Sequence, residues 1–144
     1  MRRRVNGLPV LAAACMMVAP LVASGEEVVL RASLSGPAVS GDPDGRGEAT
    51  LTIDRATGRI DARVTHSNIA QPTAIHVRKG AVGIDGNIVA TFTIDSNRGG
   101  TLVGTGSARS METLEQILAA PEEHYVVVLN DEHVVGALRG PLRK

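Results

Sequence analysis

The chain has 144 residues with 15 basic and 15 acidic side chains, a length that suits one domain and a balance that leaves no basic stripe for nucleic acid. One Phe, one Tyr and no Trp leave stacking platforms for bases or sugars scarce. The core has to be built from Val, Ile, Leu and Ala.

Met1-Arg2-Arg3-Arg4 is a basic start, Leu8–Val22 is an apolar stretch, and Val22-Ala23-Ser24 supplies small residues ahead of Gly25 and the acidic Glu26-Glu27. This is the layout of a bacterial-type secretory signal peptide. Residues 1–24 are therefore expected to be removed, and residues 25–144 to form the mature domain, secreted or periplasmic. The competing membrane-anchor reading meets an apolar run shorter than the ~20 residues a spanning helix needs. Leu11-Ala12-Ala13-Ala14-Cys15 has the look of a degraded lipobox, but its leucine lies one place too far upstream and the apolar run continues through Met16-Met17-Val18. A lipid anchor at Cys15 is the lesser alternative. Cleavage near Ser24 leaves no cysteine, so the domain needs no disulfide and has no thiolate chemistry. Loss of Arg2, Arg3 and Arg4 also takes the basic count from 15 to 12 against 15 acidic, near −3 with the histidines neutral.

The remaining chain reads mainly as strands. Val28–Leu34 is a β-like run followed by the turn-rich Ser35–Gly47, with Pro37 and Pro43. Glu48–Asp54 alternates, with Ala49, Leu51 and Ile53 on one face and Thr50, Thr52 and Asp54 on the other. Asp54-Arg55-Ala56-Thr57-Gly58 is a hairpin turn in which Gly58 is free to take a positive φ. The return strand Arg59–His66 turns Ile60, Ala62 and Val64 inward, an antiparallel pairing. Further strands are expected at Thr73–Arg78, Ile88–Asp95 and Thr101–Gly106. One short helix near 111–120 follows: Ser110 caps it, Leu114, Ile117 and Leu118 share a face, and Pro121 follows its end. Tyr125–Leu129 and Val134–Leu142 close the series around a turn at Asn130–His133. About eight strands and one helix predict an all-β fold, an antiparallel β-sandwich or Greek-key barrel, immunoglobulin-like or superoxide-dismutase-like.

Two segments carry a family signature. Thr73–Val89 reads T-A-I-H-V-R-K-G-A-V-G-I-D-G-N-I-V, and Tyr125–Leu142 reads Y-V-V-V-L-N-D-E-H-V-V-G-A-L-R-G-P-L. With Leu34-Ser35-Gly36, the Gly47–Asp54 run and the Thr57–Ile60 turn, their order and spacing resemble the CHRD (chordin) domain family over roughly Val28–Leu142. The resemblance implies an all-β, non-enzymatic domain with a binding or structural role. The growth-factor antagonism of the animal protein behind the family name does not transfer to a chain with a bacterial-type signal. Members typically carry H-x-H in the first block, where this chain has His76 and Arg78, and Y-V-N-V-H-T in the second, where Val127 and Leu129 stand. The closing G-E-I-R-G-Q-L becomes Gly136-Ala137-Leu138-Arg139-Gly140-Pro141-Leu142, keeping the arginine and losing the glutamate.

Strand parity puts His76 and Arg78 on one side of their strand and Ile75 and Val77 on the other. Tyr125, Val127 and Leu129 likewise share a face, as do Ala137 and Arg139. The candidate polar cluster is therefore His76, Arg78, Tyr125 and Arg139, with Asp85 or Asp61 as a carboxylate for Arg139. Its histidine is read first as a structural, hydrogen-bonded group. No catalytic, cofactor-binding or metal-binding residues are assigned. A transition metal wants three or four ligands, and His66, His76, His124 and His133 show no repeated close spacing; His66 falls on the apolar parity of its strand, and His124 and His133 are expected in solvated loops. The H-x-H pattern is similar to that of copper/zinc superoxide dismutase barrels, so degenerate metal-binding or oxidoreductase-like activity is the alternative. Gly80, Gly83 and Gly86 lack the Lys-Ser/Thr pair of a phosphate loop. No serine sits in a G-x-S-x-G elbow, and Glu26-Glu27, Glu122-Glu123 and Asp131-Glu132 read as solvating charge. The partner is an unidentified extracellular or envelope protein or ligand.

Overall fold

Alternation of apolar and polar residues decides the strands. The computed structural model describes Gly7 and residues 26–37, 40–81, 83 and 85–144; apart from Gly7, the expected signal peptide with Cys15 lies outside the described residues. The strands are β1 (Glu27–Ser35), β2 (Arg46–Asp54), β3 (Arg59–Ser67), β4 (Pro72–Lys79), β5 (Ile88–Arg98), β6 (Thr101–Ala108), β7 (His124–Asn130) and β8 (Leu138–Pro141). The helix α1 spans Met111–Ala119, and a 3₁₀ turn occupies Pro121–Glu123. All neighbouring strands are antiparallel and close into one barrel in the order β1-β2-β3-β6-β5-β4-β7-β8. Closure comes from Ser35 opposite Arg139 and from a bridge between Arg31 and Arg143. Among the described residues no helix is long and apolar enough to cross a membrane.

The inward rows are those the alternation predicts. Leu30 lies opposite Leu51, which lies opposite Ala62, and Ala32, Ala49 and Val64 form the neighbouring row. These residues join Ile53, Ile60, Ile75, Val77, Leu102, Val126, Val128 and Leu138 in one buried core, the filled interior that an eight-stranded barrel requires. At the β2–β3 turn, Asp54 Oδ1 accepts from the amides of Ala56 (2.9 Å) and Thr57 (3.3 Å). Gly58 takes φ 78°. In α1, Ser110 Oγ accepts from Thr113 N at 3.1 Å, which caps the first turn. Leu114, Ile117 and Leu118 turn into the barrel core. Arg55 ties the β2–β3 turn to the helix through Glu115 at 2.8 Å.

Two expectations need correction. Strand β5 runs on to Arg98, past a register shift between Ile94 and Ser96, a β-bulge that lets the strand bend and continue. The last strand is shorter than expected, because the turn after β7 extends through Ala137. Asn130 Oδ1 accepts the His133 amide at 2.7 Å, and Gly136 donates to the His133 carbonyl at 3.1 Å with φ 135°. These bonds curl Val134 and Val135 out of the sheet, leaving them 71% and 47% exposed.

Candidate functional site on the outer face of β4, β7 and β8

The core demands that Ile75 and Val77 point inward, so His76 and Arg78 emerge on the outer face of β4. Cross-strand pairing then builds two rows over three strands. His76 lies opposite Val127, which lies opposite Arg139; Arg78 lies opposite Tyr125, which lies opposite Pro141. All four candidate residues therefore share one face.

That face is roofed. Every residue of β7 is buried, and its outward side chains Tyr125, Val127 and Leu129 form a second small apolar cluster with Ala74. The cover comes from the loops that follow β4 and β7. The amide of Gly86 donates to the Tyr125 hydroxyl at 3.0 Å. Arg139, only 6% exposed, donates from Nη2 to Asp85 Oδ1 at 2.8 Å and to the Val135 carbonyl at 2.7 Å. Its guanidinium carbon sits 5.8 Å from the centre of the Tyr125 ring, within cation–π range. One arginine thus pins both loops at once. The hydrogen bond from Arg139, followed by that residue's charge, holds the Asp85 carboxyl below its ordinary 3.8 despite some opposing burial. The Asp85 end of the pair is largely solvent-exposed, so solvent screens its contribution.

The other two members are less well served. Arg78 Nη1 donates to the Gly86 carbonyl at 3.4 Å; among the described residues its buried Nε has no acceptor and the buried His76 Nδ1 has no partner. Burial, and then the charge of Arg78, holds the His76 imidazole below its ordinary 6.5, so the ring is neutral at physiological pH.

The remaining histidines diverge from one another. His66 is half-buried, with Nε2 3.4 Å from Asn97 Oδ1. His124 corrects the expectation of a solvated loop: it is 2% exposed and opens β7. The 3₁₀ turn brings its ring back under α1, where Nδ1 lies 2.9 Å from the Ala120 carbonyl; a carbonyl only accepts, so Nδ1 carries the proton. His133 is half-buried rather than freely solvated, and ligand atoms of Asp42, Glu132 and His133 lie within 4.8 Å of one another. These two carboxylates and one imidazole could hold a cation. The grouping joins the β1–β2 and β7–β8 loops, which are also linked by the Asp42 amide donating to the Ala137 carbonyl at 3.2 Å. The Asp42 carboxyl is raised above 3.8, first by a hydrogen bond shared with Asp44, then by burial and the charge of Asp44, with His133 opposing. No local spacing in the sequence joins Asp42 to His133; only the barrel's closure does.

A groove of about 530 Å³ crosses the ends of β1, β2 and β3 and includes Ser33, Glu48 and His66. Three of its polar side chains are already engaged: Ser33 donates to Glu48 at 3.0 Å and accepts from Arg143 at 3.0 Å, while His66 faces Asn97.

Fold and face together define an all-β barrel domain in which polar side chains fasten loops over an outer sheet face. Its family can be stated directly. The CHRD domain matches residues 28–142, and the chain belongs to that family. No curated protein and no solved structure matches it.

Proposed function

We propose that the chain is a secreted or periplasmic, non-enzymatic CHRD-type domain that binds a partner or ligand through its loops and outer sheet face. One observation carries the reading: at the family's signature positions, Tyr125 and Arg139 are spent on holding loops, and Val127 and Leu129 pack beneath them. An anchored roof offers a shaped surface, whereas a nucleophile or general base needs a free group beside its partner. The strand order β3-β6-β5-β4, three hairpin-linked strands lying beside the strand that precedes them, supports a Greek-key description.

Affinity capture from the producing cell's envelope, with the purified protein as bait, tests the binding role. A saturable partner whose retention falls when the 131–137 loop is altered is the expected result; a purified protein that turns over substrate defeats the reading. N-terminal sequencing of the native protein tests its location, with a start near Gly25 expected after export.

A second reading, metal binding, is favoured by the convergence of Asp42, Glu132 and His133. Elemental analysis of the purified protein and its variants decides it. Stoichiometric metal lost on His133→Ala places the site between the loops. Copper or zinc lost on His76→Ala returns the chemistry to the family's histidine position. Metal-free protein after incubation with copper, zinc and calcium removes the reading.

A further inference from the structure

Arg78 and Arg109 line one cleft of about 500 Å³ beside β4 and β5, together with Gly86, Asn87, Ile88 and Thr91. No carboxylate is among those lining residues. Among the described residues, neither arginine has a carboxylate within ion-pair distance, in contrast to Arg55, Arg59 and Arg139. The nearby acid, Asp85, is engaged by Arg139.

Arg78 is the informative member. It is half-buried, its Nε is sealed from water, and among the described residues that Nε has no acceptor and the side chain's one hydrogen bond is a 3.4 Å contact with the Gly86 carbonyl. A guanidinium has five N–H donors and accepts nothing, so partial burial is costly when the one nearby counter-charge, Asp85, is ion-paired with Arg139 instead. Arg109 is exposed, and its amide is fixed to the Val89 carbonyl at 2.9 Å. That bond holds its backbone beside β5, and its exposed side chain lines the cleft. The Thr91 hydroxyl and the Asn87 amide add neutral donors. Opposite Thr91, His76 is neutral and adds no competing charge.

We propose that this cleft binds a doubly charged tetrahedral oxyanion, a phosphate or sulfate group, clamped by Arg78 and Arg109 and oriented by Thr91 and Asn87. The arginine fork matches such an oxyanion in shape and charge. Two cations with no acid between them suit a divalent group better than a single carboxylate. The purpose of the site rests on the reading of the chain as a binding domain; its chemistry rests on the cleft alone.

The test is a titration of ¹⁵N-labelled purified protein with inorganic phosphate and, separately, inorganic sulfate, with sodium chloride holding the ionic strength constant. A saturable shift confined to the amides of Gly86, Asn87, Thr91 and Arg109 and to Arg78 Nε–H is expected from at least one anion. Whichever binds more tightly identifies the group carried by the natural ligand. Arg109→Gln weakens that binding by about tenfold, the loss of one charge-assisted hydrogen bond, and Arg78→Gln weakens it further. Arg63→Gln, on the exposed face of β3, changes nothing. Shifts spread evenly over surface arginines, absent with both anions, or indifferent to Arg109→Gln overturn the site. Arg109 is exposed, so the outcome does not depend on Arg78→Gln folding. Partner capture and anion titration are separate measurements, so the binding-domain reading and the oxyanion site fail independently.

Discussion

The two sides of the barrel obey the same strand parity and end in opposite environments. On β1 and β3 the outward residues Arg31, Ser33, Arg63 and Thr65 meet water. On β7 the outward residues Tyr125, Val127 and Leu129 are buried, as are the inward Val126 and Val128. The difference lies in the connections: a tight hairpin joins β2 to β3, whereas the loops after β4 and β7 fold back over the sheet. An outward valine or leucine is a liability on the first side and part of a second core on the other. The outward side chains of Val127 and Leu129 therefore support the roof.

That contrast predicts a graded series. Leu51→Ala, in the barrel core, is expected to cost about 2–5 kcal/mol in urea unfolding, as large-to-small core changes do. Leu129→Ala, under the roof, belongs near the lower end at about 2 kcal/mol, since the loops can settle into part of the space. Val134→Ala, at the exposed loop tip, stays within about 0.5 kcal/mol. Equal costs for Leu129→Ala and Val134→Ala would show that the roof is not packed.

Gly136→Ala probes the roof's backbone. At φ 135° an alanine is strained, and its Cβ would lie 2.8 Å from Val127 Cγ1 and 3.0 Å from Arg139 Nε. A loss of about 1–3 kcal/mol is expected, with faster hydrogen exchange at Ala137, whose amide pairs with the Val128 carbonyl. An unchanged midpoint would mean that the loop reorganises freely and is not a rigid cover.

The strands were legible because period-2 alternation is local: Ala49-Leu51-Ile53 and Ile60-Ala62-Val64 each declare their buried face within a few residues. The helix was equally plain from Ser110, its apolar stripe and Pro121. Parity also paired His76 with Arg78 on one side of their strand, but the common face of His76, Arg78, Tyr125 and Arg139 comes from the cross-strand register. The roof was not legible, because it depends on where loops return after the barrel closes. Val134 and Val135 read as strand, yet the Asn130 side chain and Gly136 turn them outward. His124 read as solvated because nothing local shows that α1 and the 3₁₀ turn bury it. The approach of Asp42 to His133 is a contact between the ends of the domain, and such contacts leave no short-range pattern.

Tyr125→Phe is a milder challenge, since it keeps the ring beneath Arg139 and removes the acceptor for the Gly86 amide. The expected cost is about 0.5–1.5 kcal/mol, one hydrogen bond, read as a small drop in the urea midpoint and quicker exchange at Gly86. If exchange at Gly86 is unaffected, the hydroxyl does not hold the first loop, and the roof depends on Arg139 instead.

The smallest effect separates the two sides by pH. Burial and the Arg78 charge depress the His76 pKa below 6.5, so the folded chain favours the neutral ring, while the unfolded chain takes up the proton first as pH falls. Its contribution is therefore present above 6.5 and is lost as pH falls through the lowered folded value. Asp85 acts in a separate, more acidic window: with its pKa depressed by Arg139, its contribution is present above 3.8 and fades as pH falls through its folded value. Asp42 runs the other way, because its raised pKa favours the protonated form in the fold; its contribution is present below 3.8 and is lost as pH rises through the folded value. Urea midpoints from pH 7.5 to 5 should decline in the parent chain and flatten in His76→Gln. A decline of the same slope in His76→Gln would place the titrating group elsewhere, and the roofed face would then share the pH response of the open one.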